Sequence, residues 1–212
     1  MSKFKAVFWD MDGTLFDNEH LYDGCLDLAL AKHQLKLPLK LPPGSSLDQI
    51  WDCLQEYNQP VVSYQQWFDE IQKATENMLN AHHIRPGVIE VLEVIRNQSI
   101  PQSCVSNSDV HTIQNNFFKT GLSDYFKHIV GRDLVNQGKP KPDPYLKAVE
   151  LNGLSPKDCI AVEDTEVGVS SAKAAGLTVI AHPNNVTKHL NFHEADFVID
   201  HPTKIKSILG LF

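Results

Sequence analysis

Four stretches of the chain place acids, one lysine and a hydroxyl–amide pair where they could act on a phosphate. They are Asp10-Met11-Asp12-Gly13, Ser106-Asn107-Ser108, Gly138-Lys139-Pro140-Lys141-Pro142-Asp143 and Glu163-Asp164. Four carboxylates gathered in one crevice repel one another unless a cation lies between them, and oxygen-only ligands select a hard ion such as Mg²⁺ over zinc. Magnesium takes one or two carboxylates together with a substrate phosphate, so the set reads as phosphate chemistry. Lys139, fixed by the proline that follows it, could bring one positive charge to the phosphoryl group and the nucleophile.

These stretches converge only if particular elements hold them. Phe4 to Trp9 is short, apolar and β-branched or aromatic, and predicts a buried strand that stops at the glycine turn. After Arg85-Pro86-Gly87 helix and strand alternate. Helices are predicted on Val88, Val91, Leu92 and Ile95, on Val110, Ile113 and Phe117, and from Pro144 through Tyr145, Ala148 and Leu151 to a stop at Gly153. Strands are predicted at residues 102–106, at Ile129-Val130, over Cys159 to Val162 and over Leu177 to Ala181, with Phe197-Val198-Ile199 at an edge. Such alternation implies an α/β fold with a Rossmann-like, doubly wound parallel sheet and right-handed crossovers. In these sheets ligands bind beyond the carboxyl ends of the strands, where Asp10, Asp12, Ser106, Glu163 and Asp164 all fall. The helix after Asn107 would aim its amino terminus at the same place, which favours an anion. Ser and Asn are equally the residues that cap helices, so Ser106-Asn107 also reads as a plain cap.

Between residues 18 and 84 the spacing is helical throughout. A first helix runs from about Asn18 to His33 on Leu21, Cys25, Leu28 and Ala29. Ser46 with Gln49, and Ser63 with Gln66, fit capping boxes ahead of two apolar stripes. Those stripes are Leu47, Ile50, Trp51 and Leu54, then Tyr64, Trp67, Phe68, Ile71 and Met78. Trp51, Trp67 and Phe68 therefore read as core. The prolines of residues 38–44 make a loop. The expected division is an α/β core of residues 1–17 and 85–212 and an inserted helical domain of residues 18–84.

Composition removes other readings. With 42% hydrophobic and 21% charged residues the chain has enough apolar surface for a packed core. A net charge of −7 and the lack of basic runs make nucleic acid and anionic membranes poor partners. No apolar stretch approaches a membrane span, and the amino terminus lacks a signal-peptide core. Cys25, Cys53, Cys104 and Cys159 lie far apart and read as reduced thiols, so a cytoplasmic setting is expected. His189 and His193 have helical zinc-pair spacing but no third ligand nearby, and read as exposed.

The four stretches, in this order, resemble the signature of the haloacid dehalogenase superfamily of phosphohydrolases. Val7-Phe8-Trp9-Asp10-Met11-Asp12-Gly13-Thr14 matches its first motif and Ser106 the second. Lys139 matches the third, and Glu163-Asp164-Thr165 with Gly168 the fourth. The resemblance covers essentially the whole chain and is strongest to the helical-cap phosphatase subgroup, which resembles β-phosphoglucomutase and phosphoglycolate phosphatase. It implies that Asp10 is the nucleophile forming a phosphoaspartate, and that Asp12 serves as acid and then base. Mg²⁺ would be held by the Asp10 carboxylate, the Asp12 backbone carbonyl and Asp164, with Glu163 orienting bound water. Ser106 and the Asn107 amide would bind phosphate oxygens, and Lys139 would stabilise the transition state, with Lys141 its competitor for that role.

The resemblance further implies that residues 18–84 form a cap that closes over the substrate, with Gly44-Ser45-Ser46 a candidate substrate-facing loop. The activity it implies is Mg²⁺-dependent hydrolysis of a small phosphorylated metabolite by a monomer or weak homodimer. A phosphosugar mutase is the alternative, disfavoured because Tyr22 stands where many relatives have histidine. A phosphoacceptor module of receiver type lacks both the insertion and an acid two residues beyond its aspartate. Residues 18–84 hold four lysines and no arginine, which slightly favours a substrate with one phosphate and a neutral body.

Overall fold

The chain is described by a computed structural model over residues 3–37, 47–57 and 62–211. It divides into two compact units, Met1–Asp17 with Asn80–Phe212 and Asn18–Leu79. Residues 80–84 thus fall with the α/β unit.

Six apolar runs of the first unit pair as one sheet: β1 (Ala6–Trp9), β2 (Gln102–Val105), β3 (His128–Val130), β4 (Cys159–Glu163), β5 (Thr178–Ala181) and β6 (Phe197–Val198). Their order is β3-β2-β1-β4-β5-β6 and every pairing is parallel. This is the doubly wound sheet expected from the alternation of elements. β1, β2 and β4 are buried along their whole length, as strands covered on both faces must be. The chain turns to opposite sides of β1, with β2 on one flank and β4 on the other. The crevice at the carboxyl ends of these three strands is therefore the switch point where ligands bind in such sheets.

The second unit holds α1 (Glu19–Lys32), α2 (Leu47–Tyr57) and α3 (Tyr64–Met78). Its core joins Cys25, Ala29 and Leu30 to Ile50, Trp51, Leu54, Trp67 and Ile71. Trp51 and Trp67 are core, as their spacing predicts. Leu28 is instead 65% exposed, because the buried face of α1 is centred on Cys25 and Ala29 and leaves Leu28 at its margin. Met78, the last residue of α3, is also exposed. Ser63 caps α3 by accepting from the Gln66 amide at 3.2 Å, but its hydroxyl also meets the Gln66 side chain, so only half of the expected box forms. The predicted loop of residues 38–44, the Gly44-Ser45-Ser46 segment and the Ser46 cap lie outside the described residues.

The remaining helices, α4 (Val88–Asn97), α5 (Val110–Thr120), α6 (Asp143–Asn152), α7 (Glu166–Ala174) and α8 (Lys204–Leu209), belong to the α/β unit. Val88, Val91, Leu92 and Ile95 are buried on α4, and Ile113 and Phe117 on α5. Leu151 is partly exposed because α6 packs through Tyr145, Ala148 and Val149. Among the described residues no helix is long and apolar enough to cross a membrane.

Candidate active site

β1 delivers Asp10 to the crevice. The Asp10 amide still follows the sheet, donating to Val162 O at 3.0 Å, and the chain then turns back so that Leu15 and Phe16 both donate to Met11 O. The turn needs Gly13, whose φ is +79°, and a Cβ there would collide with the Asp164 carboxylate. Thr14 and Asn184 fix that carboxylate from both sides. Thr14 Oγ1 donates to Oδ1 at 3.2 Å and Asn184 Nδ2 to Oδ2 at 2.9 Å.

Lys139 enters from the loop between β3 and α6. Asn107 grips its backbone, accepting from the Lys139 amide at 2.9 Å and donating to its carbonyl at 3.2 Å. The ammonium then donates to Asp10 Oδ1 at 2.7 Å and to Glu163 Oε1 at 2.6 Å. The Tyr145 hydroxyl donates to the same Glu163 oxygen, and the Tyr145 ring lies 5.3 Å from Nζ. The Lys139 side chain is only 4% exposed. Burial alone would favour its neutral form, but the Asp10 and Glu163 carboxylates outweigh burial and hold its pKa above the ordinary value. Burial pushes Glu163 up to about 7, with Lys139 opposing and Asp10 adding to the rise. Tyr145 is raised mainly by burial and then by Glu163, which keeps its hydroxyl a donor.

Three carboxylates, those of Asp10, Glu163 and Asp164, bring oxygens within 4.8 Å of one another. Four were expected. Asp12 is not in that group, and its Oδ2 accepts from Ser108 Oγ at 3.3 Å. Ser106, buried at the end of β2, accepts the Ser108 amide on its hydroxyl at 3.1 Å. The structure thus joins Asp10 and Glu163 through Lys139, places Asp164 within 4.8 Å of both acids, and links Asp12 to Ser106 through Ser108. Lys139, rather than Lys141, reaches the acids. Glu163 is taken up by Lys139 and Tyr145. A Cβ at position 168 would strike both of its oxygens, which explains a glycine in the first turn of α7.

The donor chemistry fits a hard divalent cation. The set is buried, all oxygen, and carries three carboxylates against the single ammonium of Lys139. Among the described residues no histidine or cysteine joins such a cluster, and His189 and His193 lie in non-helical chain. All four cysteines are free thiols.

Three contributors were missed by sequence reasoning: Tyr145, Asn184 and Arg85. Tyr145 had been read as core, which it also is. Asn184 follows β5 at the same sheet edge, and its place after a strand was the available signal. Arg85 had served only to mark a boundary, yet Nη1 donates to Gly13 O at 2.6 Å.

A family model for haloacid dehalogenase-like hydrolases matches residues 4–176. The chain is 28% identical to YhcW of Bacillus subtilis, over 98% of this chain and 96% of that protein. It is 28% identical to hexitol phosphatase B of Escherichia coli over 84% and 83% of the two chains. The crystal structure of CbbY from Rhodobacter sphaeroides in complex with phosphate superimposes with a TM-score of 0.84 at 20% identity, covering 98% of this chain and 100% of that one. That structure has the same fold. The order of the motifs, the sheet that carries them and the family match agree: this chain belongs to the haloacid dehalogenase-like hydrolases.

Proposed function

We propose that the protein is a Mg²⁺-dependent phosphatase that hydrolyses a small phosphomonoester through a phosphoaspartate on Asp10. The observation that supports this best is the arrangement around Asp10. Its carboxylate ends the central strand, is charge-paired with a buried lysine and lies within 4.8 Å of Glu163 and Asp164 oxygens.

Asp10 attacks phosphorus, forming the carboxyl oxygen–phosphorus bond as the bond to the ester oxygen breaks. Asp12, held by Ser108, gives its proton to the departing alkoxide. Water then attacks phosphorus, Asp12 takes the proton of that water, and Asp10 returns to a free carboxylate with release of phosphate. Ser106 and the Asn107 amide bind phosphate oxygens. Lys139 neutralises charge that builds on the phosphoryl group, held in place by Glu163 and Tyr145. Mg²⁺, held by the Asp10 carboxylate, the Asp12 carbonyl and Asp164, would supply the charge that lets an anionic nucleophile approach an anionic ester. The helical insertion, Asn18–Leu79, serves as the substrate-selecting cap, and hexitol phosphatase B among the relatives makes hexitol phosphates the first esters to try.

Phosphate release from a panel of phosphomonoesters, by wild type and Asp10→Asn, with Mg²⁺ and with EDTA, tests this reading. Turnover that requires Mg²⁺ and falls at least about 10³-fold in Asp10→Asn is expected. Return of the phosphoryl group to a second hydroxyl, with little free phosphate, would replace hydrolysis by mutase chemistry.

A further inference from the structure

The α/β unit is tied together where its chain leaves after Asp17 and returns at Asn80. Phe16 bridges Ile84 in antiparallel fashion, the Asp17 amide donates to His83 O at 2.7 Å and the Arg85 amide to Leu15 O at 2.9 Å. The Arg85 side chain turns inward from this junction. Nη1 donates to Gly13 O at 2.6 Å and His182 O at 2.9 Å, and Nη2 to Pro183 O at 3.0 Å. Nη2 also lies 3.0 Å from His182 Nε2, which can only accept from a guanidinium.

These carbonyls belong to two loops with one property in common. Gly13 immediately precedes Thr14, and Pro183 immediately precedes Asn184. Thr14 and Asn184 are the residues whose side chains hold the two oxygens of Asp164, at 3.2 Å and 2.9 Å. The Asn184 amide also approaches Gly13 O itself, at 3.5 Å. One planar cation therefore spans both loops that aim the Asp164 carboxylate, through donors whose spacing is set by the guanidinium plane. A lysine has three donors on a flexible stem and cannot reproduce that spacing.

We propose that Arg85 is a positioning residue of the active site: it sets the separation of the Gly13-Thr14 and Pro183-Asn184 loops, and thereby orients Asp164 through Thr14 and Asn184. This rests on the reading of Asp164 as a ligand of the divalent cation. These contacts of the Arg85 guanidinium run to carbonyls and His182 rather than to Asp10, Glu163 or Asp164, so its effect on the cation passes through Asp164. Residues that orient metal ligands typically change metal affinity or activity by about 10- to 100-fold when altered.

The test is Mg²⁺ binding to substrate-free protein, followed by calorimetry or by the Mg²⁺ concentration that half-saturates thermal stabilisation, for wild type, Arg85→Met, Arg85→Lys, Asn184→Ala and Asp164→Asn. Arg85→Met is expected to weaken Mg²⁺ binding about 10-fold or more, with Arg85→Lys intermediate. At saturating Mg²⁺ the KM for the best monoester should stay within about twofold while kcat falls, because phosphate-binding groups are untouched. Arg85→Met combined with Asn184→Ala should bind Mg²⁺ little worse than the weaker single variant, since both act on Asp164. Arg85→Met that is less stable but binds Mg²⁺ and turns over as wild type would overturn the inference and leave the site reading intact. If Arg85→Met does not fold, wild-type Mg²⁺ affinity in both Arg85→Lys and Asn184→Ala overturns it equally. Wild-type affinity in Asp164→Asn would instead remove Asp164 as a ligand, and this inference with it.

Discussion

The two units bury different kinds of side chain. The helical unit buries apolar and aromatic groups, with Trp51 and Trp67 5.2 Å apart at its centre. Its Lys32–Glu70 ion pair is at the surface. The α/β unit buries three carboxylates, a lysine, a threonine and a serine at one sheet edge. Apolar packing needs no function to explain it, whereas isolated buried charges cost several kcal/mol each and are offset here by Lys139 and by hydrogen bonds from Thr14, Asn184 and Tyr145. The candidate site lies in the unit that buries charge.

The sharpest way to break this comparison is Lys139→Met. Removing the ammonium leaves Asp10 and Glu163 facing each other in a buried site. In EDTA the variant should lose about 3–5 kcal/mol of stability by urea unfolding. With Mg²⁺ its kcat should fall by about 10²–10³-fold. Wild-type stability in EDTA would mean that the carboxylates do not need the lysine.

Leu54→Ala probes the other side. Leu54 is wholly buried in the helical unit, and its truncation should cost about 3 kcal/mol. Mg²⁺ affinity of the folded protein should remain within about twofold. A large loss of Mg²⁺ binding would show that the site is not confined to the α/β unit.

A third effect is set by pH. His182 is buried beside Arg85, with His201 and Asp200 as further titratable neighbours, and burial followed by Arg85 lowers its pKa to about 3. The unfolded chain takes up the proton near pH 6.5, before the folded one does. Stability from this group is therefore complete above about pH 6.5 and is lost as pH falls from there toward 3, at about 1.4 kcal/mol per pH unit. Urea unfolding at pH 7.5 and 5.5 should show a loss about 1.4 kcal/mol smaller in His182→Gln than in wild type. Equal losses would contradict the buried, neutral imidazole.

The smallest effect is at the surface. Ser63→Ala removes the cap of α3 and should cost about 0.5–1 kcal/mol, with no change in kcat. A fall in kcat would give α3 a part in the chemistry that its packing does not suggest.

The parallel sheet and the group around Asp10 were legible in the sequence for one physical reason. Buried strands are short apolar runs, and in a parallel sheet their carboxyl ends meet, so Asp10, Ser106 and Glu163-Asp164 could be brought together without coordinates. Asp12 shows the limit of that reasoning, since turn geometry rather than strand position sends its side chain to Ser108. Arg85 shows another limit. Its partners are backbone carbonyls 72 and 97 positions away, and carbonyls leave no mark in residue types. Tyr145 looked apolar because its ring is, although its hydroxyl reaches Glu163. Leu28, Met78 and Leu151 were assigned to buried stripes because spacing defines a face but not how far burial extends around or along it.

The most direct test of the central claim uses p-nitrophenyl phosphate, whose leaving group departs without a proton, and the variant Asp12→Asn. Attack by Asp10 should proceed while hydrolysis of the aspartyl phosphate, which needs the base, is slowed. The predicted result is a burst of about one equivalent of nitrophenolate per enzyme, with a phosphoryl group on Asp10 located by acid quenching and peptide mass spectrometry. Steady turnover with no burst and no phosphorylated Asp10 would contradict covalent catalysis by that residue.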